Sequence, residues 1–464
     1  MVFSSAIFIY LFLPAFLLGY YATPLRWRSF TILLGSYLFY AWWRVDFTLL
    51  LMGMTAFNYA LSQRIIRADS TADKRLTFLA VAGNLCALGY FKFFDFGISS
   101  VNAIIGSDFS LWNIILPIGI SFYIFQSISY IVDVHRKDIP PACNYIDFAA
   151  FIALFPQLIA GPVLRYKDIA PQFIQREHSL ARFNEGALRF AMGFCKKILI
   201  ADTLAPYVDA LFALQNPTMA ESWLAVLGYT AQLYFDFSGY SSMAIGLGLM
   251  MGFQFMENFN YPYLSRSITE FWRRWHISLS VWLKNYLYIP LGGNRKGTAR
   301  TYINLFLTML LGGLWHGANV TFLCWGAWHG IWLAIERALG GKTASPYPAW
   351  AARAFTALLV ILGWVMFRAE SMSHALTLYS GMLGHHGFAL SSNSAWQLTP
   401  LFAFAMLCAY LIMFAAPHIW AKRPAGEWAK TAAIPLQFGV LLLFVIALCK
   451  LVGYSYSPFL YFQF

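Results

Sequence analysis

The chain has 464 residues, of which 59% are hydrophobic and 11% are charged, and its formal net charge is +12. This composition excludes a soluble globular domain, because long apolar runs such as residues 32–43 and 438–452 approach the length of a membrane span. It also argues against nucleic-acid binding, since the basic residues cluster in short loops between apolar runs. We expect an all-α, polytopic integral membrane protein, with about eleven spans plus re-entrant or interfacial helices around a central tunnel.

Plain hydrophobic spans make up the first quarter of the chain, residues 1–115. The first apolar run, residues 6–20, has no basic segment before it, so we expect a span rather than a cleaved signal peptide. Arg26 and Arg28 follow the first span, and another basic loop, residues 64–75, follows the third. Basic loops stay in the cytoplasm, which predicts an extracytoplasmic N-terminus.

Polar residues enter the apolar pattern in residues 116–368, which we predict to be the functional core of a single domain, 1–464, before plain spans return in 369–464. Residues 116–123 and 155–162 each place proline and glycine inside an apolar run. This pattern is typical of kinked or re-entrant helices, whose backbone is tolerated at membrane depth only beside protein or a cavity. Both segments are therefore expected to line a tunnel.

Asp236 lies within an apolar segment, residues 223–252, and Ser238 follows two positions later. A carboxylate at membrane depth costs about 2.5–3.5 kcal/mol on insertion scales unless it is paired or solvated. Two interpretations carry equal weight. Asp236 forms a structural salt bridge to an arginine, or it orients a histidine or an arginine or contacts a substrate.

Residues 267–289 are predicted to form one amphipathic helix at the membrane surface or dipping into the bundle. Steps of three and four place six apolar residues on one stripe: Ile268, Trp272, Trp275, Leu279, Trp282 and Tyr286. The adjoining polar face carries Arg273, His276, Ser280 and Lys284. Glu270 and Arg274 are spaced for an ion pair. A cationic interfacial anchor explains the tryptophans and arginines, whereas a functional site explains His276 better, and the pattern alone favours neither.

Two further histidines follow tryptophans within residues 305–337. His316 precedes Gly317, where a span is predicted to end, and His329 lies in the next span. A single histidine of this kind is more often bonded to a carbonyl of a neighbouring helix. Together with His276 the chain has three such histidines, and three favour a functional role. Imidazole suits a general base because its unperturbed pKa of ~6.5 lies near neutral pH. Their spacing does not match a short metal-ligand motif, and no metal is expected.

The chain has no GxSxG elbow and no P-loop. It resembles the membrane-bound O-acyltransferase family, in the branch of bacterial alginate and peptidoglycan O-acetyltransferase membrane subunits. Five stretches carry the resemblance: LPIGISFYIFQSISYIVDVHR (116–136), FPQLIAGPVLRY (155–166), QLYFDFSGYSSMAIGLGLMMGF (232–253), ENFNYPYLSRSITEFWRRWHISLSVWLKNYLYIPLGGNR (257–295) and LGGLWHGANVTFLCWGAWHG (311–330). The starting MVFSS and the final FQF extend the likeness over essentially the whole chain.

The resemblance implies acyl transfer across the bacterial inner membrane. It implies acetyl-CoA as a donor substrate bound from the cytoplasm, no bound cofactor, and an extracytoplasmic SGNH or esterase-like partner that modifies an exported polysaccharide. The family's near-invariant histidine maps to His316, and a second, more variable polar residue maps to His276. The other candidates for contacts with substrate or a tunnel are Trp275, Trp315, Asn319, His329, Asp236, Ser238, Arg273 and Arg274. The last two, with Lys284, are placed to attract the phosphates of CoA.

Two other functions are compatible with the sequence. A transporter would export an acyl donor or a glycan precursor, with the histidines and Asp236 as a proton relay, although the chain shows no internal repeat. A scaffold that only anchors a partner acetylase would leave the histidine–tryptophan pairs unexplained. The acceptor stays open between alginate, peptidoglycan and another exported polymer.

Overall fold

The computed structural model describes residues 1–340, 348–395, 398–415, 434–453 and 459. Over these residues the chain forms helices and loops, with one isolated antiparallel bridge between Phe259 and Trp275. The predicted all-α class is confirmed. The chain divides into two compact units: Met1–Phe190 with Ser241–Met256, and Ala191–Tyr240 with Glu257–Phe464. Part of the predicted C-terminal region, 369–464, lies outside the described residues, as does the final FQF.

The first unit consists mainly of α-helices. Their bounds are Leu13–Ala22, Arg28–Ala41, Val45–Ile65, Ser70–Leu88, Phe94–Ile105, Ile120–His135, Tyr145–Ile152, Phe155–Leu158 and Tyr166–Ile174. The first unit also contains a 3₁₀ turn, Leu25–Trp27, and the π-helical stretches Phe8–Phe12 and Gly89–Phe93. Two further helices, Leu180–Cys195 and Met219–Met250, belong partly to each unit.

Residues 116–123 and 155–162 are interrupted, as predicted. Gly119 has φ of +78°, and the helix Ile120–His135 begins directly after it. A Cβ atom on Gly119 would lie 2.6 Å from the carbonyl oxygen of Leu158, so only glycine allows the two segments to approach this closely. The second segment forms a helix of only 4 residues and is buried. The prediction of broken helices is confirmed, and their place beside a tunnel stays a prediction.

The second unit contains the remaining helices. Its α-helices are Asp202–Phe212, Ile268–Arg274, Ile277–Leu283, Thr298–His316, Val320–Ala338, Ala349–Arg368, Met372–Met382, Ser392–Ala395, Pro400–Phe414 and Ile434–Gly453. Its shorter elements are the π-helical stretches Lys196–Ala201 and Lys284–Tyr288 and the 3₁₀ turn Pro262–Leu264.

Three helical stretches among the described residues are long and apolar enough to cross a membrane, judged by length and composition: Ser70–Ile105, Ala349–Arg368 and Ile434–Gly453. In the last of these, the apolar side chains of Phe438 and Leu442 are 67% and 63% exposed. Contact of such side chains with lipid tails costs no free energy, whereas their contact with water is unfavourable. The number of about eleven spans stays a prediction.

The helices Thr298–His316 and Val320–Ala338 pack closely as a helical hairpin. A Cβ atom on Gly326, in the second helix, would lie 2.4 Å from the carbonyl oxygen of Met309 in the first. Glycine at this crossing therefore allows the two backbones to touch. The hairpin fixes the position of His316, which is the last residue of its first helix.

Gly326→Ala should lower the thermal unfolding midpoint of the detergent-solubilised protein, because the new methyl group would push the two hairpin backbones apart at a cost of roughly 1–3 kcal/mol. Gly53→Ala is the matched control, since a Cβ atom on this helical glycine meets nothing within 4 Å. An unchanged midpoint for Gly326→Ala would contradict the close hairpin.

Candidate active site

The segment predicted as one amphipathic helix, residues 267–289, is broken at its centre. One helix is Ile268–Arg274 and the next is Ile277–Leu283. Between them the backbone of Trp275 is extended, and His276 has φ of +43° and ψ of +54°, in the left-handed region. The prediction of one continuous helix is therefore wrong.

A neighbouring loop explains the break, because it bonds the backbone on both sides of it. The Asn260 amide donates to the carbonyl of Arg274 (2.9 Å), and the Ile277 amide donates to the carbonyl of Asn258 (3.0 Å). The Ser278 hydroxyl then donates to the side-chain oxygen of Asn258 (2.6 Å). Helical periodicity within residues 267–289 cannot reveal such competition, since the competing groups lie in the loop that precedes the segment.

The predicted apolar stripe of this segment is buried throughout. On the predicted polar face, Arg273 and Lys284 are exposed, but His276 has an exposed fraction of 0%. The prediction that His276 lies on the polar edge of a surface helix is wrong. The left-handed residue turns its ring into the protein instead.

The buried ring of His276 meets aromatic rings and the second candidate histidine. Its centroid lies 4.7 Å from that of Phe237, in an edge-on arrangement, and 6.1 Å from that of Trp315. The imidazole of His316 is 6.4 Å away, centroid to centroid. Two histidines 40 positions apart in the sequence therefore come together, with Trp315 beside both rings.

His316 ends the first hairpin helix, directly before Gly317, as predicted. Its ring is 4% exposed and packs edge-on against Trp325 (5.1 Å) and Phe367 (5.3 Å). The sequence indicated this position, but it could not indicate the two aromatic neighbours from other helices.

His329 lies in the second hairpin helix and is fully buried. The indole N–H of Trp272 donates to its Nδ1 atom (3.3 Å). Trp325 separates His329 from His316, with ring centroids 5.0 Å and 5.1 Å from the two imidazoles. His329 is thus an adjacent group, one aromatic layer away from the histidine pair.

A layer of tryptophans encloses the site. Trp275 is buried against Trp364 (5.0 Å between centroids), and Trp364 stacks on Trp325 (5.9 Å). Trp364 was not predicted as a site residue, because it looks like any apolar residue of the span 349–368. No signal in one sequence distinguishes it from ordinary lipid-facing or core tryptophan.

Asp236 forms an ion pair with a lysine, a partner that the sequence did not predict. The Lys197 ammonium lies 2.6 Å from Asp236 and 2.7 Å from Asp202, and the side chains of Lys197 and Asp236 are 3% and 1% exposed. Lysine within the apolar run 190–201 was the signal that could have predicted this pair. Asp236 directly precedes Phe237, whose ring contacts His276, and Ser238 is buried beside them.

The remaining candidates have structural contacts. The side chain of Asn319 caps the second hairpin helix, accepting from the Thr321 amide (3.1 Å) and donating to the carbonyl of Glu370 (2.9 Å). Arg274 forms the predicted pair with Glu270 at 2.9 Å. Neither contact brings these side chains to the histidine pair. Arg273 is exposed, whereas both histidines are buried. In the part of the chain that the structure describes, no group of three or more His, Cys, Asp and Glu residues could hold a metal ion.

Comparison with known proteins shows the family. A model of the membrane-bound O-acyltransferase family matches residues 5–373. The chain belongs to the membrane-bound O-acyltransferase family.

This O-acyltransferase is similar over its whole length to curated bacterial proteins. It is 54% identical to "Probable alginate O-acetylase AlgI" of Pseudomonas putida and 52% identical to the protein of that name in Pseudomonas aeruginosa, with 100% of both chains covered in each case. It is 35% identical to "Peptidoglycan O-acetyltransferase" of Helicobacter pylori, with 100% of this chain and 98% of the relative covered. The protein is thus a multi-pass membrane enzyme that transfers acyl groups to oxygen, as the resemblance implied.

The buried ion pair of this O-acyltransferase yields a stability prediction. Lys197→Met should lower the thermal unfolding midpoint strongly, since leaving a buried carboxylate unpaired costs about 3–5 kcal/mol. Asp236→Asn should cost less, because Lys197 keeps Asp202. The double variant Lys197→Met/Asp236→Asn should lose less stability than the sum of the losses in the two single variants.

Arg44→Gln, in the exposed pair of Arg44 and Asp46, is the control and should leave the midpoint unchanged. Wild-type stability for Lys197→Met would show that Lys197 does not compensate the buried carboxylates.

Proposed function

We propose that this O-acyltransferase moves an acetyl group from cytoplasmic acetyl-CoA across the bacterial inner membrane, for O-acetylation of an exported polysaccharide. His316 is the general base, and His276 orients the donor or the acceptor. The observation that carries the proposal is the meeting of these two imidazoles, 6.4 Å apart, in a buried aromatic site of a chain that belongs to an O-acyltransferase family.

The backbone of His276 supports a functional role. A non-glycine residue in the left-handed region costs of order 1–3 kcal/mol and persists only when the surroundings impose it. Here the loop at Asn258 and Asn260 imposes it, and the result is an imidazole turned toward His316. A residue needed only for packing would gain nothing from this conformation.

The proposed reaction needs one proton to move. The acceptor hydroxyl gives its proton to His316 while its oxygen attacks the thioester carbon. A C–O bond forms, the C–S bond breaks, and the proton passes from His316 to the departing thiolate, which leaves as free CoA. The aromatic rings around His316 exclude water, which would otherwise hydrolyse the thioester. In the alternative route His316 itself carries the acetyl group transiently, and rapid denaturation at neutral pH would then recover acetyl label on the protein.

Alginate is the acceptor that we favour. The relatives named for alginate O-acetylation are 54% and 52% identical to this chain, whereas the relative named for peptidoglycan is 35% identical. Peptidoglycan is the second candidate. We assign the final transfer to an extracytoplasmic SGNH or esterase-like partner. The basic loop at Arg26 and Arg28 supports an N-terminus outside the cytoplasm.

His316→Ala should reduce the release of CoA from labelled acetyl-CoA by at least about 100-fold, because a positioned general base contributes 10²–10⁴ in rate. The assay uses purified protein in proteoliposomes that enclose alginate oligosaccharides together with the extracytoplasmic partner, whose hydroxyl is the first acceptor. His276→Asn removes the imidazole while keeping a residue that tolerates the left-handed backbone, and it should cost about tenfold or more. His385→Gln, an exposed histidine outside the site, is the control and should be neutral.

Each outcome separates the candidate functions. Free CoA outside the vesicles with labelled oligosaccharide inside supports the enzyme. Intact acetyl-CoA inside the vesicles would support a transporter and contradict the proposal. Normal transfer by His316→Ala would exclude His316 as base or carrier.

A further inference from the structure

Two arginines and a histidine gather around one buried tyrosine of the first unit. The exposed fraction of Tyr20 is 0%. The guanidinium carbon of Arg28 lies 4.9 Å from the centre of its ring, and a guanidinium nitrogen of Arg176 lies 3.5 Å from its hydroxyl oxygen. That hydroxyl donates to the carbonyl of Met251 (2.7 Å), so it accepts from the Nε2 atom of His178 (2.9 Å). One side chain thus holds two positive charges and an imidazole together.

No carboxylate neutralises these arginines within the part of the chain that the structure describes. Neither Arg28 nor Arg176 forms an ion pair there, and the adjacent Glu177 pairs with Arg182 instead (2.6 Å). Burial lowers the pKa of His178, and the positive charges of Arg28 and Arg176 lower it further. The surroundings of this loop therefore disfavour another cation and favour an anion.

The end of a helix accounts for only part of this attraction. The Tyr21 hydroxyl donates to the carbonyl of Met250 (2.6 Å), the last residue of the helix Met219–Met250, and Arg28 lies over the Tyr21 ring at 5.4 Å. A helix C-terminus carries the equivalent of about half a negative charge, which is less than two arginines offset. A topology signal needs only exposed bases such as Arg26, not arginines that converge on a buried side chain.

Exposed apolar side chains border the two arginines. The turn Leu25–Trp27 directly precedes Arg28, and Leu25, Trp27 and Phe30 are 69%, 52% and 47% exposed. The rings of Trp27 and Phe30 pack edge-on, with centroids 6.4 Å apart. Tryptophan beside basic residues is typical of the headgroup level of a membrane. A ligand that carries both a phosphate and acyl chains fits this surface, whereas a soluble anion would leave the apolar side chains uncovered.

We propose that the arginine cluster, formed by Arg28 and Arg176, binds the phosphate of an anionic phospholipid. The acyl chains of this lipid lie against Trp27 and Phe30. Guanidinium groups suit a phosphate because each offers several N–H donors in one plane. Basic pockets between membrane helices on the cytoplasmic side bind such headgroups, and basic loops predict that side for the loop that carries Arg28. The inference goes beyond the proposed function and uses no part of its reaction.

The variant Arg28→Gln/Arg176→Gln tests the cluster. Full-length protein is purified in detergent and titrated with dioleoyl phosphatidylglycerol, and native mass spectrometry measures the bound lipid. The dissociation constant should rise about 25-fold, or about fivefold for each charge lost near the headgroup. Arg28→Lys/Arg176→Lys keeps both charges and should bind this lipid more tightly than the glutamine variant. Dioleoyl phosphatidylcholine, whose headgroup brings its own cation, should bind wild type and the glutamine variant equally.

Arg67→Gln/Arg75→Gln is the matched control, because it removes the same charge from exposed positions in the other basic loop. It should leave the binding of phosphatidylglycerol unchanged. Equal affinity of wild type and Arg28→Gln/Arg176→Gln would overturn the proposal. An equal loss in the control would also overturn it, since the arginines would then act only through the general positive charge of the surface.

A second variant keeps both arginines and tests the acyl chains. Trp27→Gln/Phe30→Gln changes two exposed side chains, so folding should be retained. It should weaken the binding of dioleoyl phosphatidylglycerol but not that of the short-chain dihexanoyl lipid, and unchanged binding of both lipids would contradict the proposed position of the chains. CoA or inorganic phosphate that displaces the dioleoyl lipid from wild type at equal concentration would place a soluble anion in the cluster and contradict the proposal.

Discussion

The architecture of the candidate active site depends on the break in the backbone at Trp275 and His276. Asn258 and Asn260 take the backbone hydrogen bonds that a continuous helix would use, and His276 is forced into the left-handed region. That conformation buries an imidazole that helical geometry would have left at a polar surface. The histidine pair, the rings around it and the proposed reaction all follow from this one competition for hydrogen bonds.

The site is almost entirely aromatic, and this has a physical consequence. Rings of tryptophan and phenylalanine give a dry, closely packed surrounding in which a few polar groups act strongly. The nearby carboxylate of Asp236 is neutralised by Lys197. Asp236 directly precedes Phe237, whose ring contacts His276. The ion pair thereby neutralises a buried carboxylate in the helix that supplies part of the wall.

Sequence patterns predicted the class of fold and singled out the two histidines that the structure brings together, but not how they meet. The glycine after His316 correctly indicated a helix end, and interruptions at residues 116–123 and 155–162 were visible as proline and glycine. The break at His276 was not visible, because helical periodicity continues through it and its cause is hydrogen bonding to the preceding loop at Asn258 and Asn260. Lys197 and Trp364 were not predicted either, since their roles depend on partners far away in the chain.

The central claim is that His276 and His316 act as one site. A double-mutant cycle with His276→Asn, His316→Gln and the double variant, read as kcat/KM for CoA release, tests it most directly. Residues that share one reaction centre should be strongly non-additive, so the double variant should be little slower than His316→Gln alone. Losses that multiply would contradict a shared site.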